Sequence, residues 1–408
     1  MAFASIREQA GGEGGGLGTA VHVEPEQQAG DGTAAAIRER HRRRQATRTR
    51  PEITTRLVLR TRASREGLDV MRWAHRLLSS AGGGAMAARS VKHALDAAVE
   101  AARWAPSVHN TQPWTFHLDG AEIGLKADVE RQLHVSDASG RELLISCGAA
   151  LFTMRTVIRC EGYEPIVRVL PDPDRPNLLA TVKAGAPAQA DEVTWVLGGE
   201  IERRRTHRAG FADVPVPERL LQSLERAAMN EGAKLTPVLN PQAIAVIAAL
   251  TEAAQGVQAR DRRFTLELLR WSRAPESTRM DGVAADAHGG GRTEPYFAQR
   301  EYAWRREWVR ESGPGTAVGT VALLSTVGDG REDWIAAGQA LQHILLHAAA
   351  HGVSAAFHTQ ALEMDQLREF LRQQLCGAAY PQMIMRLGVT LDADPDSIRR
   401  SLPEVLEE

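Results

Sequence analysis

Three observations predict an α+β fold for this chain of 408 residues. Runs with the apolar spacing of helices alternate with short strand-like runs of mixed character. The alternation occurs twice in succession, first from residue 86 and again from residue 193. Ahead of both lies a stretch, 1–85, whose composition suits neither kind of element.

In the first series Val91, Leu95, Ala98, Val99 and Ala102 share a helical face, and Pro106 stops the helix. The strand-like runs PWTFHL and AEIGLKA follow, then an apolar helix over 142–160, then VRVLPDP and LLATVKAG. The second series opens with a helix near Val193, the basic run RRRTHRAGF and the helix-forming VPVPERLLQSLERAA. It continues through KLTPVL, a helix over 243–259, the strand TAVGTVALLST, a helix over 334–351, and the strands SAAFHTQ and MIMRLGV. Residues 271–299 carry DG, HGGGR and TEP without an apolar period, which predicts a long irregular loop. Loops of that length in compact domains are more often lids or binding segments than idle connections.

The bulk composition sets bounds. A 43% hydrophobic content over this length supports two domains, or one large domain with a tail. A formal net charge of -2 points to neither nucleic acid nor membrane as a general partner. Cys147, Cys160 and Cys376 are widely spaced and show no ligand pattern, which fits a reducing cytoplasm. No apolar run long enough to span a bilayer is evident, and the charged N-terminus does not read as a signal peptide. The tail 1–85 is rich in Gly and Arg and has no Lys, so it is expected to be disordered. Its reading as an over-long gene start, with Met86 the true start, is preferred to a nucleic-acid arm around residues 42–50. The expected organisation is the tail, a first half over 86–192 and a second half over 193–408.

Two segments carry chemistry. APSVHNTQPW, residues 105–114, ends a helix in a turn that exposes backbone N–H groups with hydroxyl and amide side chains. Such a mixture of donors and acceptors suits a planar heteroaromatic ligand; it also suits an ordinary polar turn into an edge strand. RRRTHR, residues 203–208, places four arginines in six residues, with forked donors suited to a phosphate, or else forms a solvated basic turn. His343, His347 and His351 share one helix face, but no carboxylate partner accompanies them and no metal site is expected.

APSVHNTQPWTF resembles the APSxxNxQPW element of the nitroreductase superfamily, and its histidine variant resembles the Acg-like branch. The resemblance implies that Pro106, Ser107 and Asn110 lie against a flavin ring, with Gln112 matching the motif and also serving the turn. RRRTHRAGF resembles the start of a nitroreductase domain. That match implies Arg204, Arg205 and Thr206 at the FMN phosphate and ribityl chain. It implies Arg208 near the ring edge where reduced flavin gathers negative charge. Gly210 is inserted relative to the family pattern, which puts the register of Arg208 in doubt. SDASGRELLISCGAALFTMR and GDGREDWIAAGQALQHILLH resemble the central helix of successive halves. Gln360 occupies a Q-P-I-E-like turn in which Ala361 replaces proline. IRRSLPEVL resembles the C-terminal segment, which nominates Arg399 and Arg400 for the phosphate.

Each half keeps one motif and lacks the other: only a weak ARSV remnant precedes the first, and MNEGAKLTPVL stands where the second would need PSxxNxQPW. The resemblance therefore implies a nitroreductase-like fold in which two diverged half-copies form an intrachain pseudo-dimer. That chain would be a monomer holding one FMN. The implied activity is hydride transfer from NADH or NADPH to flavin, and on to a nitroaromatic, quinone or similar small-molecule electron acceptor. A catalytically silent protein that stores FMN beneath a lid at 271–299 is the alternative.

Overall fold

The computed structural model describes residues 90–274, 276–284, 293–300, 302, 316–391 and 394–407. The tail 1–85 and residues 285–292 of the long loop lie outside the described residues.

Helix α1 (Val91–Ala102) begins at Ser90, whose hydroxyl accepts from the His93 amide, and buries Leu95, Ala98 and Val99. Strands β1 (Trp114–Asp119) and β2 (Glu122–Ala127) form a hairpin, followed by helix α2 (Arg141–Cys160), β3 (Tyr163–Val169) and β4 (Leu178–Pro187). A short helix α3 (Glu192–Glu200) leads into a second series. That series contains α4 (Glu218–Asn230), β5 (Lys234–Val238), α5 (Pro241–Gln258), α6 (Arg262–Arg270) and the two-residue strands β6 (Ser272–Arg273) and β7 (Val283–Ala284). It closes with β8 (Thr320–Thr326), α7 (Arg331–Ala350), β9 (Ser354–Phe357), α8 (Asp365–Leu375), β10 (Tyr380–Gly388), α9 (Leu402–Val405) and β11 (Leu406–Glu407).

The two sheets repeat one arrangement. The first is ordered β1-β2-β4-β3 and the second β5-β8-β10-β9, with every one of these neighbours antiparallel. Each half thus places its first, second, fourth and third strands in the same order, with a helix before the first strand and another before the third. The chain end adds β11 parallel to the outer edge of β1, so the C-terminus of the second half completes the sheet of the first.

Helices α2 and α7 meet between the sheets. An added Cβ on Gly148 would lie 2.2 Å from the Ile335 carbonyl, and one on Gly338 would lie 2.0 Å from the Ile145 carbonyl. Only glycine at both positions lets the two backbones come this close. One apolar core packs α1 and α2 on the first sheet around Trp114, Phe116 and Leu151; a second packs α4 and α7 on the other sheet around Leu224, Ile344 and Met385.

The helix α2 corrects one sequence-based expectation. By length and composition it would pass as a membrane span, yet 83% of its apolar window is buried in the protein. It is apolar on all sides because it is enclosed by α1, the first sheet and α7. Helices α6 and α8 were not anticipated. Each is amphipathic, burying Phe264 and Leu268, or Leu371, on one face and leaving a largely charged face outside, so the apolar spacing was there to read. The segment expected as an irregular loop is in part paired: β6 and β7 run parallel, with Ser272 opposite Val283.

Candidate functional site

The first motif folds into a tight, strained turn. After α1 the chain makes a 3₁₀ turn at Val108–Asn110, in which His109 and Asn110 have φ of 47° and 54°; Gln112 follows at 49°. Left-handed backbone in non-glycine residues costs about 1–3 kcal/mol each and persists only where the surroundings enforce it. The enforcing contacts are plain. The Gln112 amide donates to Ser107 Oγ at 3.0 Å, and the Val108 amide donates to Ser146 Oγ on α2 at 3.1 Å.

The second motif is positioned by the edge of the second sheet. Thr206 makes a parallel bridge with Ala355 of β9, and the His207 amide donates to the Ala355 carbonyl at 2.9 Å. Phe211 then seats against Gly388, where any Cβ would fall 2.4 Å from its ring. The inserted Gly210 uses its carbonyl to meet His207 Nε2 at 3.0 Å, and Arg208 faces inward at the site.

Between the motifs lies a cleft in two joined parts. The larger, about 800 Å³ of non-atom space with its mouth included, has apolar walls from Pro106, Ile145, Leu341, Phe357 and Met383. The smaller is lined by Asn110 and by the guanidinium-bearing Arg204, Arg208, Arg273 and Arg399. Pro106, Ser107, Thr206 and Arg208 border both parts, so the two are continuous.

The smaller part is strongly cationic. Arg204 and Arg399 are almost fully buried, and among the described residues the Nε atoms of Arg204, Arg273 and Arg399 find no hydrogen-bond partner, while the Nη atoms of Arg399 donate to Asn110, Ile398, Trp104 and Ala105. Burial, then the neighbouring Arg205 and Arg208, pulls the Arg204 pKa down to about 10. Burial, followed by Arg204 and Arg205, pulls Arg399 well below its ordinary value. The lining carboxylate, Asp396, has a side chain 96% exposed and accepts from Arg205 at 3.1 Å. Among the described residues these buried guanidinium groups have little counter-charge, an arrangement suited to an anion.

The larger part carries titratable groups that the sequence did not mark. His109 and Tyr302 share a hydrogen bond of 2.6 Å across the cavity wall. Burial, with Arg300 and Arg208 nearby, lowers His109 well below the usual histidine range, and burial pushes the Tyr302 hydroxyl up to about 12. Both are therefore neutral at physiological pH. Glu142, at the start of α2, is pushed up to about 8 by burial and then by Glu363, against the opposing effect of Arg141 2.9 Å away. Burial therefore makes this carboxyl harder to ionise than an exposed glutamate, although Arg141 lies beside it.

Of the residues nominated from sequence, Pro106, Ser107, Asn110, Arg204, Thr206, Arg208 and Arg399 come together around this cleft. Four do not line it. Gln112 donates to Met280 O at 2.8 Å and accepts from the Arg400 amide at 2.8 Å, so it anchors the turn. Arg400 turns back to the carbonyls of Gln112 and Glu404. Arg205 holds the Glu202 carbonyl and Asp396. Gln360 donates to Ala298 O at 3.1 Å. The signal for His109 lay inside the first motif. Glu142 read as an ordinary helix start, and Arg273, Arg300 and Tyr302 sit in or beside the aperiodic loop. Among the described residues no group of three His, Cys, Asp or Glu is placed to hold a metal; His343 instead stacks on Phe152 with centroids 4.8 Å apart.

A chain with one cleft walled by both sequence motifs invites comparison with known proteins. A Mycobacterium tuberculosis (strain H37Rv) protein provisionally named an NAD(P)H nitroreductase is 30% identical over 328 residues, covering 78% of this chain and 92% of its own length. A second protein of that strain, provisionally named NAD(P)H nitroreductase Acg, is 27% identical over 321 residues, covering 76% and 94%. Among solved structures, a nitroreductase with bound FMN from Bacteroides fragilis covers 49% of this chain and 89% of its own at 16% identity, with a TM-score of 0.30. A TM-score that low establishes nothing further. No protein-family model matches the chain. The length and identity of the curated matches are sufficient: the chain belongs to the family of Acg-like NAD(P)H nitroreductases.

Proposed function

We propose that this protein is an FMN-dependent oxidoreductase of nitroreductase type. It would hold one FMN between two diverged halves of a single chain, and act as a monomer. The observation that carries the reading is the convergence of the two motifs on one cleft, Ser107 from the first half and Thr206 and Arg208 from the second bordering both of its parts.

The residues fit the group. The lining of the smaller part by Arg204, Arg208, Arg273 and Arg399 suits a phosphate dianion, and the walls formed by Pro106, Ile145 and Phe357 suit a flat ring. Bound FMN would supply the two-electron chemistry, with NADH or NADPH as donor and a nitroaromatic, quinone or similar small molecule as acceptor. The chain's part is to bind, to orient and to exclude water. His109 and Tyr302 provide a neutral polar wall, and Arg208 places positive charge beside the larger part, where it favours a reduced, anionic ring. The repeated strand order and the reciprocal glycine contact of α2 and α7 support the reading of two half-copies as an intrachain pseudo-dimer.

Released flavin should be FMN at close to one per chain. Arg204→Ala should weaken FMN binding by about 1.5–3 kcal/mol, the range for hydrogen bonds to charged groups, and leave riboflavin binding nearly unchanged. Equal losses for both flavins would remove Arg204 from the phosphate. A protein that takes up no FMN would end the reading.

A second reading, an FMN store without turnover, draws on Gln299, Arg300 and Tyr302, which bring the end of the long connection to the wall of the larger part. Anaerobic bleaching by NADPH separates the two. Rapid bleaching supports the enzyme, whereas slow bleaching by NADPH beside rapid bleaching by dithionite supports the store.

A further inference from the structure

The long connection between β5 and β8 contributes more than a wall. Its strand β6 carries Arg273 into the smaller part of the cleft, beside Arg204, Arg208 and Arg399. The Arg273 Nε is buried and has no partner among the described residues, as with Arg204 and Arg399. Three guanidinium-bearing residues thus line one part of the cleft from three separate stretches of chain, and one of these is the loop.

The loop strand is tied to the first motif. The Asn110 side chain donates to Gly282 O at 3.1 Å, and the Gly282 amide donates to Asn110 O at 3.2 Å. Gly282 has φ of 76°, and a Cβ there would lie 2.7 Å from the Trp271 carbonyl, so the position demands glycine. The Val283 amide then donates to that Trp271 carbonyl at 2.9 Å, which fixes β7 alongside β6 and sets the direction of Arg273. Asn110 is itself held by Arg399, whose Nη1 donates to Asn110 Oδ1 at 3.1 Å. A continuous chain of contacts therefore runs from the anion site through Arg399 and Asn110 to the loop strand, and through β6 back to the anion site.

We infer that Arg273 is a loop-borne ligand for a phosphate monoester dianion, and that binding this dianion locks the β6–β7 segment onto the Asn110 turn. The inference rests on the FMN reading for the identity of the ligand, but its chemistry is that of any phosphate monoester seated among these arginines. Selectivity for FMN over riboflavin would then depend in part on the loop and not only on the RRRTHR segment.

The experiment uses the full chain, stripped of flavin, as wild type, Arg273→Ala and Arg273→Lys. Binding of FMN, riboflavin and inorganic phosphate is measured by flavin fluorescence quenching, with phosphate as competitor. Hydrogen exchange is followed at the Gly282 and Val283 amides. Arg273→Ala should raise the Kd for FMN about 10- to 100-fold, as expected for a lost hydrogen bond to a charged group, and change that for riboflavin by less than about twofold. Arg273→Lys, keeping the charge but not the fork, should fall between. FMN should slow exchange at Gly282 and Val283 in the wild type and not in Arg273→Ala, and riboflavin should slow it in neither. Inorganic phosphate alone should reproduce part of the slowing if the dianion suffices; no slowing at a phosphate concentration that displaces FMN would overturn the lock. Equal FMN affinity in wild type and Arg273→Ala would overturn the role of Arg273 while the FMN reading stands. A wild-type chain that binds neither flavin would overturn both.

Discussion

The two central helices begin with nearly the same text and end in different circumstances. Helix α2 reads RELLISCGAAL from Arg141 and α7 reads REDWIAAGQAL from Arg331, identical at Arg, Glu, Ile, Gly and the closing Ala-Leu. Their glycines, Gly148 and Gly338, do the same work, each admitting the other helix's isoleucine carbonyl. Their glutamates do not. Glu142 is buried at the cavity with its carboxyl pushed up to about 8, whereas Glu332 is exposed. The connections between strands account for the difference. In the first half only residues 120 and 121 separate β1 from β2, too few to cover anything. In the second half residues 239–319 separate β5 from β8, and with Arg300 and Tyr302 they help to wall the cavity at Glu142. The shared pattern therefore keeps the backbone contact in both helices, and the longer connection decides which helix start is enclosed.

The shared glycines give the sharpest way to break this comparison. Gly338→Ala would push a Cβ to 2.0 Å from a backbone carbonyl, and Gly148→Ala to 2.2 Å. Each should lose about 3 kcal/mol or more in urea denaturation, since backbone at a helix crossing cannot move aside as a flexible side chain can. A variant that keeps its parent's stability would show that the two contacts are not equivalent.

The glutamates sharpen it through pH. A carboxyl whose pKa rises on folding holds its proton longer in the native state, so it favours the native state at low pH. That advantage fades as pH climbs from the ordinary value of 4.5 through about 8. Glu142→Gln escapes this loss. Its Tm relative to the parent should rise by at least about 2 °C between about pH 5 and about pH 9, close to 1 kcal/mol for a domain of this class. Glu332→Gln, on the surface, should stay within about 0.5 kcal/mol of the parent. Parallel pH profiles for Glu142→Gln and the parent would refute the buried acid.

Smaller effects test the connection itself. Asn240 caps α5 by accepting from the amides of Gln242 at 2.9 Å and Ala243 at 3.1 Å. Asn240→Ala should cost about 1 kcal/mol. If the connection folds with the rest, it will shift one cooperative unfolding transition rather than create a second. Gly256, on the exposed side of α5 with open space around it, offers the opposite sign. Gly256→Ala should stabilise the protein by about 0.5–1 kcal/mol, through helix propensity alone. A glycine substitution is thus severe or beneficial according to what faces the missing Cβ.

Most of the long elements and both motifs were legible in the sequence because they rest on local rules. Apolar spacing set α1, α2 and α7, Pro106 stopped α1, and the clustered arginines marked a local concentration of positive charge wherever the chain might carry them. Tertiary structure decided everything that depends on neighbours distant in sequence. It sent Gln112 and Arg400 to each other rather than to the cleft, because the C-terminal strand β11 returns to pair with β1 beside that turn. It brought Arg273 to the arginines through a two-strand pairing too short to show a period. Most tellingly, it gave one of two identical glutamates a raised pKa and left the other in water. The identity of a residue sets which proton it can hold; the energy of holding it is a matter of solvent and of charges that only the folded chain assembles.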